Sequence, residues 1–154
     1  MTDMNRKLNV LFVCTGNSCR SQMAEGWARH LRGEAINPFS AGIEPRRIDP
    51  LAVKVMREAG VDISRQETHA VNEFLREDID FVVTVCSEAA EMCPAFPGKV
   101  KVLHQPFDDP PWVTRATERE EEKLAVYRRV RDEIRDYVDK LPTILERARQ
   151  GGAS

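Results

Sequence analysis

Within eight residues, Cys14, Thr15, Gly16, Asn17, Ser18, Cys19, Arg20 and Ser21 gather the groups that a reaction on a tetrahedral anion requires. A cysteine at a helix start beside an arginine is favoured as thiolate, the nucleophilic form, which makes Cys14 the candidate nucleophile. Arg20 offers a planar fork of donors that matches two oxygens of such an anion. Between them, Gly16 and small polar residues let successive backbone N–H groups turn inward as an anion nest. Unpaired donors and the positive dipole end of the following helix add to it. Ser21 follows closely enough to donate a hydrogen bond to the sulfur. Cys-x5-Arg alone is a common coincidence, so the flanking elements decide its weight.

Those elements are favourable. Residues 9–14 form a continuous apolar run that reads as a buried strand. After the loop, Met23, Ala24, Trp27, Ala28 and Leu31 fall at helical spacing, and Gly33 is placed to stop the helix. Residues 35–41 form a weaker strand candidate. Asp49 and Pro50 are an N-cap and first-turn pair for a helix carrying Leu51, Val55, Met56 and Ala59, ended by Gly60. Val71, Phe74 and Leu75 suggest a short helix. Residues 80–85 read as a strand ending at Cys86, where Ser87 can cap a short helix that finishes by Cys93 and Pro94. Residues 99–104 read as a fourth strand, and residues 105–112 as a proline-held loop.

Thr117 and Glu120 suggest a capping box for a last helix carrying Leu124, Tyr127, Val130, Ile134, Tyr137, Val138 and Leu141. Pro142 is expected to end or kink it, and residues 150–154 to fray. Helical pairs of opposite sign, Arg128 with Asp132 and Arg129 with Glu133, suit a solvated face. The alternation of strand and helix implies a parallel sheet with helices on both faces. No internal boundary stands out, so residues 1–154 read as one domain with an ordered core over about 8–148.

Composition narrows the function classes. The chain has 154 residues, 42% hydrophobic and 31% charged, with 23 Lys plus Arg against 25 Asp plus Glu and a net charge of −2. That balance argues against nucleic acid as a partner. The first apolar run is short for a signal peptide and far too short to cross a bilayer, so no membrane partner and a cytoplasmic location are expected. In a reducing compartment, four cysteines point to catalysis or metal binding rather than a static disulfide framework. Zinc is a weak fit: structural sites use close Cys-x2–4-Cys pairs with matching partners, whereas Cys14/Cys19 and Cys86/Cys93 have four and six residues between them and so do not match one another. No metal and no cofactor are expected. His30 and His104 read as ordinary edge residues.

Residues 14–25, from Cys14 through Arg20 to Glu25, resemble the phosphate-binding loop of the low-molecular-weight protein tyrosine phosphatase superfamily. More narrowly, they are similar to its thioredoxin-coupled arsenate reductase branch, and the match runs from about Val10 to the last helix. The resemblance implies an α/β fold: a single-domain, open four-stranded parallel sheet in order 2-1-3-4. It implies Thr15, Gly16, Asn17, Ser18, Cys19, Arg20 and Ser21 as the oxyanion-binding loop, with Cys19 there for packing.

The loop suits phosphate and arsenate alike, and the remaining cysteines separate the two activities. A thiol–arsenic(V) adduct can accept two electrons when a second thiol attacks the sulfur and arsenite leaves, whereas a phosphoryl-cysteine can only be hydrolysed. The resemblance implies Cys14 as nucleophile, Cys86 as first resolving thiol and Cys93 as last, with a Cys14–Cys86 and then a Cys86–Cys93 redox disulfide. Cys86 and Cys93 would lie about 10 Å apart across a helical 87–92 segment. A disulfide tolerates about 7 Å between Cα atoms, so that segment must unwind.

A carboxylic acid over the loop must protonate the departing oxygen. In the superfamily it precedes a proline, which implies Asp109, with Asp108 as the fallback. Pro111 and Trp112 stand where phosphatases tend to place a tyrosine wall, favouring a small inorganic substrate. Some reductases of this branch hold potassium with an asparagine, a serine and an aspartate. Asn17 and Ser40 match, but His69 falls at the aspartate position, and imidazole is a poor ligand for a hard cation. The expected function is therefore reduction of arsenate, with phosphate competing, thioredoxin as reductant and a monomeric chain. Glutaredoxin or a small thiol stays open as reductant. The alternatives are a low-molecular-weight phosphatase using Cys14, Arg20 and Asp109, or a non-catalytic thiol or zinc module.

Overall fold

The computed structural model describes residues 6–150. Four strands, β1 (Leu8–Cys14), β2 (Ile36–Gly42), β3 (Phe81–Thr84) and β4 (Lys101–His104), form one sheet in order β2-β1-β3-β4. All three pairings are parallel. Helices α1 (Arg20–Arg32), α2 (Pro50–Glu58), α3 (Ser87–Met92), α4 (Pro110–Val113) and α5 (Glu120–Gln150) connect and follow the strands, and residues Val71–Phe74 make a 3-10 turn.

Burial explains the central position of β1. Val10, Leu11, Phe12 and Val13 are fully inaccessible, so this strand must be covered on both faces and paired on both edges. The β1-to-β2 and β3-to-β4 crossovers run in opposite directions along the sheet. Right-handed connections then place α1 and α3 on opposite faces. The reversal also opens a crevice beyond the carboxyl ends of β1 and β3, where ligands of open parallel sheets bind. Cys14 ends β1 and Cys86 lies two residues beyond β3, both at that crevice.

Several sequence expectations are corrected by local physics. Pro142 neither ends the last helix nor stands near its end: α5 runs on to Gln150. A proline inside a helix costs about 3 kcal/mol. Val138, Leu141 and Leu145 are fully buried on either side of it, and their packing outweighs that cost. Thr117 does not cap α5, because the helix begins three residues later and its first turn closes onto Arg119 O. The helix starts instead at Glu120, Glu121 and Glu122, whose charges favour its N-terminus.

The 105–112 loop closes into α4 at its end, with Pro110 and Pro111 in the first turn, where no N–H is needed. Cys86, not Ser87, caps α3, its Sγ accepting the Ala89 N–H at 3.3 Å. Arg128 does not pair with Asp132. It ties α5 to α2 through Glu58 at 2.8 Å and also reaches Glu121, whereas Arg129 does pair with Glu133 at 3.0 Å. Of the tail expected to fray, residues 150–154, Gln150 closes α5 and residues 151–154 lie outside the described residues.

Candidate active site

The loop after β1 is shaped by a second segment that runs beside it. Ile43 N–H donates to Cys14 O (3.1 Å), Glu44 N–H to Thr15 O (2.8 Å), Arg46 N–H to Gly16 O (2.8 Å) and Asp49 N–H to Ser18 O (2.9 Å). The buried Gln22 side chain donates to Asn17 O at 2.9 Å. With these carbonyls drawn outward, the N–H groups of Thr15 to Cys19 have no acceptor among the described residues. Five unpaired donors on one tight turn are an anion cradle. Asn17 makes the turn with φ +51°, a left-handed conformation that asparagine tolerates. Gly42 is required by the close approach: a Cβ there would lie 2.7 Å from Asn17 N and 2.9 Å from Gly16 C.

Cys14 is buried at the centre of this cradle and addressed by a directed chain of hydrogen bonds. His69 N–H donates to Asn17 Oδ1 at 2.8 Å, which fixes the Asn17 amide. Its Nδ2 then donates to Ser21 Oγ at 2.8 Å. Ser21 is left with its own proton to give to Cys14 Sγ, 2.9 Å away. Every donor in the series points toward the sulfur, an arrangement that stabilises negative charge on it.

Arg20 is buried beside the cradle. Its Nη1 donates to Phe107 O at 3.0 Å, Nη2 lies 3.5 Å from Asp109 Oδ2, and Nε is buried with no partner. A buried guanidinium N–H without a protein partner, on the residue that follows five unpaired backbone donors, fits an anionic guest. Asp108, the fallback acid, points elsewhere, into an ion pair with Arg129 at 2.9 Å. Of the two carboxylates, the structure brings only Asp109 to Arg20.

All four cysteines are free thiols. Cys86 Sγ sits 3.4 Å from Thr15 Oγ1, at the rim of the loop. Cys93 ends α3 on the far side, half-buried, and desolvation pushes its thiol pKa up. Cys19 is fully buried, and burial together with the nearby Asp49 carboxylate raises its thiol pKa further, consistent with packing. Trp112 is 63% exposed, with the Arg115 guanidinium stacked 3.8 Å over its ring.

Residues 9–151 match the low molecular weight phosphotyrosine protein phosphatase family. The chain belongs to this family. Among its relatives, an arsenate reductase of Halalkalibacterium halodurans is 50% identical over 131 residues, covering 85% of this chain and 91% of the relative. The structure of an arsenate reductase from Archaeoglobus fulgidus is 32% identical with a TM-score of 0.68, covering 86% of this chain and 97% of that one. A low molecular weight protein tyrosine phosphatase from T. tengcongensis superposes equally well, with a TM-score of 0.68 at 27% identity, over 89% of this chain and 99% of that one. The expected fold, sheet order 2-1-3-4 included, is the one observed.

Sequence reasoning missed the side chains that act at long range. Gln22 also donates to Glu67 O, at 2.9 Å, tying the loop to the 66–70 segment. Asp49 accepts from Tyr127 of α5 at 2.6 Å while its Oδ1 caps α2 through Leu51 N–H. These partners are 45 and 78 residues away in sequence, and no local pattern signals them.

The potassium set proves unsuitable for a cation. Ser40 donates to Glu25 Oε1 at 2.6 Å, and Glu25 is already charge-matched by Arg29 at 2.8 Å. Both ends of the Asn17 amide are engaged, and the His69 ring turns to Glu73 at 3.2 Å. Among these described residues no uncompensated negative charge remains for a hard cation to neutralise. Phosphate affinity, measured by titration calorimetry, is expected to be equal in sodium and potassium buffers. A several-fold tightening in potassium would contradict this reading.

Proposed function

We propose that this chain reduces arsenate to arsenite at Cys14 and passes the oxidation outward through Cys86 and Cys93. The observation that carries the reading is the placement of two further thiols. Cys86 lies at the rim of the anion cradle and Cys93 at the other end of the same six-residue helix. Hydrolysis has no use for either. The arsenate reductase relatives support the same conclusion at half identity over most of the chain.

The residues divide the work as follows. The cradle N–H groups of Thr15, Gly16, Asn17, Ser18 and Cys19, with Arg20, hold three oxygens of arsenate. The Cys14 thiolate, supported by the Ser21 hydroxyl, attacks arsenic, and one oxygen leaves as water with a proton from Asp109. Cys86 as thiolate then attacks Cys14 Sγ. The S–As electron pair passes to arsenic, arsenic(V) becomes arsenic(III), arsenite leaves, and a Cys14–Cys86 disulfide remains. Cys93 as thiolate attacks Cys86 Sγ, forming Cys86–Cys93 and releasing Cys14 as thiolate for the next cycle. Thioredoxin, supplying two electrons and two protons, returns the pair to thiols. The proposal takes the chain to act as a monomer in the cytoplasm, where thioredoxin is kept reduced.

The test is arsenate-dependent NADPH oxidation in the presence of thioredoxin and thioredoxin reductase. Reduction with each component required supports the proposal. Hydrolysis of aryl phosphate without arsenate-dependent oxidation would assign the chain to the phosphatase activity instead.

Geometry attaches a conformational requirement to the last step. Cys86 caps α3 at its start and Cys93 at its end, so about 10 Å of helix separates their backbones. A disulfide spans no more than about 7 Å between Cα atoms. Residues 87–92 must therefore unwind, which also draws the half-buried Cys93 into solvent, where its desolvation is relieved. Amide exchange in this segment is expected to accelerate by at least about tenfold on forming Cys86–Cys93, as ordered helix becomes open chain. Equal protection in the reduced and oxidised forms would rule the unwinding out.

A further inference from the structure

We propose that Arg46 is a substrate-collecting residue that draws small oxyanions from solvent into the cradle. The assignment deepens the reading above and rests on it, since it presumes that the loop accepts an inorganic oxyanion.

Arg46 belongs to the segment that shapes the loop. Its backbone N–H is fixed to Gly16 O at 2.8 Å, so the origin of its side chain cannot drift from the cradle wall. The side-chain stem lies along Gly16: Cδ and Cγ stand 3.4 and 3.7 Å from where a Gly16 Cβ would be. The guanidinium, two bonds beyond Cδ, is thus delivered to the edge of the loop. Among the described residues its one ion pair is a loose one to Glu44 at 3.9 Å, with both side chains largely in water. A strong pair would have consumed the charge; this one leaves it available.

The cation answers an electrostatic difficulty. The chain carries a net charge of −2, which weakly repels an incoming dianion. Arg20, the internal clamp, is buried and engaged with Phe107 and Asp109, so its field is partly spent before an anion arrives. Charges beyond a Debye length of about 8 Å at physiological salt are screened, so attraction must come from a cation at the entrance itself. Arg46, its stem against Gly16 and its head group largely in water, is the cation assigned to that place. Arg47, its neighbour, is exposed and makes no ion pair among the described residues, which makes it a control of equal charge.

The experiment is titration of the reduced, full-length chain with inorganic phosphate, a probe that needs no redox chemistry. At low ionic strength, R46A is expected to weaken phosphate binding about fivefold and R46E by about twentyfold or more, with R46K close to the unaltered chain. The series should converge as salt approaches about 0.5 M, where the Debye length is only a few ångströms. R47E, compared with R46E at physiological salt where screening sets in by about 8 Å, should cost less than about twofold.

Binding that is indifferent to Arg46, or an R47E effect equal to R46E, overturns the proposal and leaves the reductase reading intact. An R46E loss that persists at high salt also overturns it, because the cause would then be a distorted loop rather than charge. The expected series in a chain that fails the coupled NADPH assay would uphold Arg46 and remove the reductase reading. No phosphate binding by the unaltered chain would remove both.

Discussion

Cys93→Ser is expected to convert a continuous reductase into a single-use one. With thioredoxin and its reductase present, the variant should release one arsenite per chain and then stop, its steady rate falling to below about one hundredth of the original. The reason lies in where the chemistry halts. Arsenite leaves when Cys86 attacks Cys14 Sγ, a step that does not involve Cys93. The product is a Cys14–Cys86 disulfide beneath the loop rim, where Cys14 and Cys86 are both buried. A buried disulfide resists exchange, because the attacking thiolate must reach a sulfur in line with the leaving one. Only Cys93 can move that oxidation to the surface.

Mass spectrometry of the spent Cys93→Ser protein should show two fewer hydrogens and a peptide linking Cys14 to Cys86. Aryl phosphate hydrolysis, which needs only Cys14, Arg20 and Asp109, should survive within about twofold, since Cys93 is remote from the cradle. Sustained turnover of the variant would mean that the external reductant reaches Cys14–Cys86 directly, and the relay would lose its last member. The same assay on Cys86→Ser separates the steps: it should release no arsenite at all, because nothing remains to displace arsenic from sulfur.

How far the sequence carries the reader depends on whether a role is local. The nucleophile, clamp and loop of residues 14–21 are contiguous, and the strand and helix around them show in apolar periodicity, so both fold and cradle were legible. What holds the loop open was not. Ile43, Glu44, Arg46 and Asp49 act there through backbone N–H groups, which any residue except proline supplies, so no residue type betrays them. Sequence favours Asp109 over Asp108 only through the proline that follows it, and Arg129, 21 residues beyond Asp108, takes that second carboxylate into an ion pair. Arg128 illustrates the same limit. Helical spacing offers it Asp132, but a carboxylate on another helix, Glu58, gives two short bonds instead. Pro142 failed as a stop signal because propensity is a local quantity and the burial of Leu141 and Leu145 is not.

Arg20→Lys is the most demanding test of the cradle, because it preserves charge and removes only shape. The guanidinium does two jobs at once. Nη1 anchors Phe107 O, and through it the 105–109 loop that brings Asp109 to the site, while Nε is left buried and unpaired. An ammonium is a single donor centre on a flexible stem and cannot span both positions. If lysine keeps the Phe107 contact, the oxyanion loses a charge-assisted bond. If it turns to the oxyanion, a carbonyl and the acid-bearing loop are released.

Either way one preorganised interaction with developing charge disappears, and loss of such a donor typically costs about 10²–10³ in rate. That fall is expected in kcat/KM for arsenate, with phosphate binding weakened in parallel and the thermal midpoint nearly unchanged, because Lys fills most of the same volume. Activity above about one third of the original would show that net positive charge suffices at this position. The planar fork would then be incidental, and recognition of the tetrahedral anion would rest on the five backbone N–H groups alone.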